Sequence, residues 1–184
     1  IFTKTLKKYA EEINSESITA QRLKRAQSII KKLNRNYTHS DGKIKLTRMQ
    51  DIAGCRAILK SLDEVQELRY RYKKSKIKHK KVKEYDYILE PKTDGYRGIH
   101  LVYKYYSDKQ RQEYNDLLIE IQLRTKLQHI WATTVETTSF FIGQALKLAE
   151  GEEKWKEFFR LISSAFAKIE KSPIISNTPS NEKE

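Results

Sequence analysis

Four short segments carry residue types that could handle phosphates and a nucleoside. In RLKRAQSIIKK (22–32), Arg22, Lys24, Ser28 and Lys32 make a set of cations and a hydroxyl suited to cradling a polyphosphate. Asp51 opens DIAGCR, five residues before Arg56. In PKTDGYRGIH (91–100), Gly95 and Gly98 permit close backbone approach and Tyr96 offers a flat face to a base. EIQLRT (120–125) puts Glu120, Gln122 and Arg124 at alternate positions. Each segment alone also has an ordinary explanation. A basic helix face is solvated, an aspartate before a strand caps a turn, loop glycines turn the chain, and a charge on a strand's polar face meets water.

The elements that must bring these segments together follow from hydrophobic spacing. Residues 2–13 read as an amphipathic helix, and 21–35 as a turn entering a second one. On that second helix Leu23, Ala26, Ile30 and Leu33 form a packing side, while Lys24, Ser28, Lys31, Lys32 and Arg35 form a cationic one. Residues 36–45, with Ser40, Asp41 and Gly42, read as a loop. From Met49, MQDIAGCRAIL reads as a strand, and DEVQELRYRYKKS (63–75) as a helix capped by Asp63. IKHKKVKEYDYILEP has a β-rich cast that Pro91 stops, and IHLVYKYY is a further strand. After a polar hairpin over 107–115, LLIEIQLR sends Ile119, Ile121 and Leu123 one way and Glu120, Gln122 and Arg124 the other.

Helices follow over 126–138 and 152–171. On the first, Leu127, Ile130, Trp131 and Thr134 are expected to pack, with His129, Thr133 and Glu136 opposite, able to line a site; His129 reads as a hydrogen-bonded structural histidine. The last helix, with Trp155, Phe158, Phe159, Leu161, Ile162, Phe166 and Ile169, is expected to dock on its own domain. The fold class is therefore α/β (α+β): one domain over residues 1–171, with a mixed β-sheet of about five strands flanked by helices, and a flexible Ser/Asn/Pro tail at 172–184.

With 37 Lys and Arg against 24 Asp and Glu, the 184-residue chain carries a net charge of +13, which favours an anionic partner: nucleotide, RNA or acidic protein. Lysine fills seven of the eleven positions from Lys73 to Lys83, and on a strand Lys76, Lys78 and Lys80 would share a face. Tyr70, Tyr72, Tyr96, Tyr103, Tyr105 and Tyr106 interleave with basic residues, as base stacking requires, although most of them are expected to pack on the sheet. A hydrophobic content of 38% excludes a disordered chain. No apolar run reaches the roughly 18 residues of a membrane span, so a soluble, cytoplasmic protein is expected. The single Cys55 excludes a disulfide framework and a thiolate-rich metal site, and reads as a buried structural thiol. A start at Ile1 suggests part of a longer chain.

In this order the four segments resemble the synthetase domain of the RelA/SpoT family, the alarmone synthetases, from about Arg22 to Thr138. The family's Arg-x-Lys and Ser-Ile-x-Lys-Lys fall on Arg22, Lys24, Ser28, Ile29, Lys31 and Lys32; its aspartate and downstream arginine on Asp51 and Arg56; its Gly-Tyr and Ile-His on Gly95, Tyr96, Ile99 and His100; and its glutamate on Glu120. The resemblance implies a nucleotidyltransferase-like fold and Mg²⁺-dependent transfer of the β,γ-pyrophosphoryl group of ATP to the ribose 3′-hydroxyl of GDP or GTP, releasing AMP. It implies an ATP site at Arg22, Lys24, Ser28, Lys32 and Arg56, and an acceptor site at Lys92, Tyr96, His100, Gln122 and Arg124. Asp51 and Glu120 would be catalytic and hold the metal.

Two departures bear on the acceptor. Asp94 stands where many relatives have Asn, and HIWATTVETTSFF replaces the stretch leading to a Tyr-Lys pair. These features resemble the family's small, single-domain branch and its toxin-like members, some of which take the 3′ end of tRNA or an adenosine nucleotide as the alternative acceptor; a homo-oligomer or a regulatory antitoxin is a further candidate partner. A catalytically silent nucleotide or RNA binder is the reading from another class. No adjacent His-Asp pair marks the family's companion hydrolase domain.

Overall fold

The alternation in LLIEIQLR organises the molecule. In the computed structural model, which describes residues 1–39, 45–143, 146 and 152–176, this segment is the strand β5 (Leu118–Thr125). Its Ile121 and Leu123 are fully buried on one side. The elements before it are α1 (Phe2–Ile13), β1 (Ile18–Leu23), α2 (Ala26–His39), β2 (Ala53–Leu59), α3 (Leu62–Lys74), β3 (Lys80–Asp86) and β4 (Ile99–Lys104). After it come α4 (Lys126–Phe141) and α5 (Glu153–Ile169). The strands form one mixed sheet in the order β1-β2-β5-β4-β3, with β2 and β5 parallel and the other pairs antiparallel.

The two faces of the sheet are covered differently. Cys55, Ala57 and Leu59 of β2, Ile99, Leu101 and Tyr103 of β4, and Ile121 and Leu123 of β5 bury one face under Leu6 and Ala10 of α1 and Val65, Leu68 and Tyr72 of α3. Burying each large side chain there contributes about 1.5–3 kcal/mol. On the other side, Trp131, Ala132 and Val135 of α4 and Phe159 of α5 form a second cluster with Leu146. The polar residues of β5 lie between, facing a cavity.

Several expectations need correction. The turn expected at the start of 21–35 overlaps the end of an edge strand, β1, over 18–23; ITAQRL is mostly exposed and so lacks a hydrophobic signal. The helix expected to end at Arg35 runs on to His39, so 36–39 are not loop, while 40–44 lie outside the described residues. Its expected packing side does not pack: Leu23, Ala26 and Ile30 are exposed, because this helix follows an edge strand and lies beside the covered faces. The strand begins at Ala53 rather than Met49, although Met49 is buried. Ser61, not Asp63, caps α3: its extended backbone lets Oγ accept the Glu64 amide at 3.3 Å. Of the lysine run only Lys80 onward is strand, so Lys76, Lys78 and Lys80 share no strand face. Tyr72 and Tyr103 are core residues and closed to stacking. Beyond Ser176 the tail lies outside the described residues.

Candidate active site

Strand register gathers the polar residues. The parallel pairing sets Gly54 beside Glu120 and Arg56 beside Gln122; the β4 pairing sets His100 beside Gln122; and the β1 pairing sets Arg22 beside Gly54. Paired residues share a face, so Arg22, Arg56, His100, Glu120 and Gln122 all line one cavity of about 640 Å³. Gly54 makes the tight approach possible, since a Cβ there would lie 2.6 Å from the Glu120 carbonyl oxygen.

A closed ring of hydrogen bonds fixes the glutamate. Arg124 Nη2 donates to the Tyr96 hydroxyl at 2.6 Å and to Gln122 Oε1 at 2.8 Å. The Tyr96 hydroxyl lies 2.5 Å from His100 Nε2, and His100 Nδ1 lies 2.9 Å from Glu120 Oε1. Gln122 Nε2 closes the ring on Glu120 Oε2 at 2.5 Å. His100 Nδ1–H donates to the carboxylate and its Nε2 meets the Tyr96 hydroxyl, while the buried Arg124 Nε has no hydrogen-bond partner among the described residues. Burial alone would raise the Glu120 pKa; the His100 hydrogen bond and charge, with the Gln122 hydrogen bond, outweigh it against an opposing push from Asp51, and hold it below the usual range.

Asp51 sits in the segment before β2. Lys24 Nζ meets its Oδ2 at 2.7 Å and Lys32 Nζ its Oδ1 at 3.0 Å. These two lysines override the effect of burial and lower the Asp51 pKa as well. The carboxylates of Asp51 and Glu120 face one cavity, and no cluster of three or more His, Cys, Asp or Glu capable of caging a metal occurs among the described residues. Two hard oxygen donors without a protein cage fit magnesium, which is held by one or two carboxylates together with substrate phosphates.

The loop over 91–98 presents Tyr96. Asp94 Oδ1 accepts the Tyr96 amide at 2.8 Å, an Asx turn that an asparagine could equally form. Gly95 takes φ +98°, and its carbonyl accepts a 2.6 Å hydrogen bond from Ser163 of α5. Lys92 Nζ stands 5.1 Å from the Tyr96 ring centre and the Arg124 guanidinium carbon 4.9 Å from it.

Of the residues singled out in the sequence, Arg22, Lys32, Asp51, Arg56, Lys92, Tyr96, His100, Glu120, Gln122 and Arg124 line the cavity. Lys24 reaches it through Asp51, while Ser28 is exposed on α2 and outside the wall. Thr133 and Glu136 do line it, but α4 packs with Gln128, Trp131, Ala132 and Val135, leaving Ile130 and Thr134 exposed. His129 is not held as expected: its buried Nδ1 has no hydrogen-bond partner among the described residues. Burial and the nearby Arg56 and Arg124 charges keep His129 below the ordinary histidine pKa. Sequence reasoning misses Arg48, Tyr85, Tyr87, Lys156 and Arg160, which also line the cavity. The basic residues at 156 and 160, one helical turn apart on the last helix, are the available signal for two of them.

The region found in RelA / SpoT proteins matches residues 21–141. GTP pyrophosphokinase YjbM of Bacillus subtilis (strain 168) is 31% identical over 140 residues, covering 74% of this chain and 63% of that protein. GTP pyrophosphokinase YwaC of the same strain is 33% identical over 117 residues, covering 62% and 54%. The chain thus spans less than two thirds of these relatives. In structure it is similar to small alarmone synthetase 1 from Bacillus subtilis bound to its product pppGpp, with a TM-score of 0.75, 27% identity, and 92% of this chain and 86% of that one covered.

Proposed function

Because this chain belongs to the RelA/SpoT family, we propose that it is a GTP pyrophosphokinase, moving the β,γ-pyrophosphoryl group of ATP to the 3′-hydroxyl of GDP or GTP. The observation that carries the proposal is the ring that fixes an ionised Glu120 in the same cavity as Asp51 and its two lysines. Both relatives matched in sequence bear that activity in their names.

The residues divide the work. Arg22, Lys24, Lys32 and Arg56 neutralise the ATP triphosphate from the β1, α2 and β2 side. Lys92, Tyr96 and Gln122 orient the acceptor from the β4 side, so that its 3′-oxygen faces the β-phosphorus in line with the leaving oxygen. As the new O–P bond forms and the bond to the α-phosphate's bridging oxygen breaks, AMP departs. Glu120 takes the hydroxyl proton, and its lowered pKa keeps it free to do so at neutral pH. Asp51 and Glu120 would hold a magnesium ion, which would supply further charge neutralisation when bound.

The test supplies ATP labelled at the γ position with Mg²⁺ and, separately, GDP, GTP, ADP or bulk tRNA. Label on a guanosine nucleotide, with AMP formed in equal amount, is the expected result. Label confined to tRNA or ADP would replace the acceptor, and no transfer to any of them would leave a binding protein.

A further inference from the structure

We propose that Lys156 and Arg160 of α5 hold the 5′-phosphates of the acceptor nucleotide, and so set preference for a 5′-polyphosphate over a bare nucleoside. This rests on the reading of the cavity as a nucleotide pyrophosphotransferase site. Lys156, Arg160 and Ser163 recur at helical spacing and lie along one side of α5. Ser163 bolts that side to the acceptor loop: its Oγ donates to the Gly95 carbonyl at 2.6 Å and accepts from Arg97 Nε at 3.0 Å. Trp131 Nε1 fastens the same helix by donating to the Phe159 carbonyl at 2.8 Å.

The cations one and two turns before Ser163 therefore line the cavity on the side of the loop that carries Lys92 and Tyr96. The donor cations lie on β1 (Arg22), on the link from β1 to α2 (Lys24), on α2 (Lys32) and on the neighbouring strand β2 (Arg56). Arg160 Nε is buried without a hydrogen-bond partner among the described residues, leaving a charged donor for a ligand to satisfy. The carboxylates lining the same cavity are Glu153, which pairs with Lys156 at 2.6 Å, Glu136 of α4, Asp94 of the acceptor loop, and Asp51 and Glu120. An incoming phosphate would compete with Glu153 for Lys156.

Equilibrium dialysis with GDP and with guanosine, without ATP, tests the assignment independently of turnover. The protein should bind GDP more tightly than guanosine, and Arg160→Gln should cut that ratio about tenfold, as losing one charge-assisted hydrogen bond implies. Lys156→Gln should act in the same direction, and Arg160→Lys should recover part of the preference, with unchanged thermal melting showing that the variants fold. In steady state the KM for GDP should rise in Arg160→Gln while that for ATP moves little. A wild-type protein without preference for GDP, a variant ratio equal to wild type, or a rise confined to the KM for ATP would overturn it. Absence of pyrophosphoryl transfer alongside a phosphate preference lost in Arg160→Gln would instead sink the proposed reaction and keep the phosphate site.

Discussion

Glu120 is held at both oxygens by hydrogen-bond donors, His100 and Gln122, and this predicts how its removal will read out. Glu120→Gln keeps the shape of the ring but cannot take a proton, so kcat should fall by about 10²–10⁴ while the KM for ATP stays within a few-fold. A KM effect larger than the kcat effect would make the residue a binding group. The pH dependence has a definite sign. Asp51 and Glu120 both titrate below their ordinary values of 3.8 and 4.5, so the stability they contribute is complete above those values and is lost as pH falls through the lower folded ones. Thermal melting of Asp51→Asn should therefore decline less steeply on acidification than that of the wild type. Cys55 is buried and its thiol is pushed up to about 12, so it should resist an aromatic disulfide reagent until the protein is unfolded.

Elements place these residues, and Gly95 shows the cost of disturbing one. Its φ is positive, and a Cβ at this position would lie 2.8 Å from the Trp131 ring, which leaves no room for a side chain. Gly95→Ala should lower stability by about 1–3 kcal/mol and raise the KM for the acceptor more than that for ATP, measured by denaturant titration and initial rates. The period-two alternation of β5 is plain in the sequence because one face packs into the core through Ile119, Ile121 and Leu123, and that alternation alone puts Glu120, Gln122 and Arg124 on a common side. β1 is invisible for the opposite reason: an edge strand with little burial carries no pattern, so Arg22 reads as part of a turn. The approach of α5 is not legible either. Its apolar residues announce a helix, but only tertiary packing brings Ser163 to Gly95 and Arg160 to the cavity wall. His129 illustrates the limit for single residues, since a polar side chain on a helix says nothing of the partner it will lack.

At the scale of the whole molecule, a five-stranded sheet keeps one face dry under α1 and α3 and opens the other to a basic cavity beneath α4 and α5. No described helix is long and apolar enough to cross a membrane. Because no three-residue metal cage occurs among the described residues, a chelator should abolish turnover yet leave the melting temperature of the nucleotide-free protein where it was. A pyrophosphotransferase differs from an ordinary kinase in the nucleotide it leaves behind, AMP rather than ADP. The most direct test is a paired reaction with GDP and ATP labelled at either the α or the γ position, in wild type and Glu120→Gln. The γ label should move to the guanosine nucleotide while the α label appears in AMP, and both transfers should collapse in the variant. The α label appearing in ADP, or transfer surviving in Glu120→Gln, would contradict the mechanism.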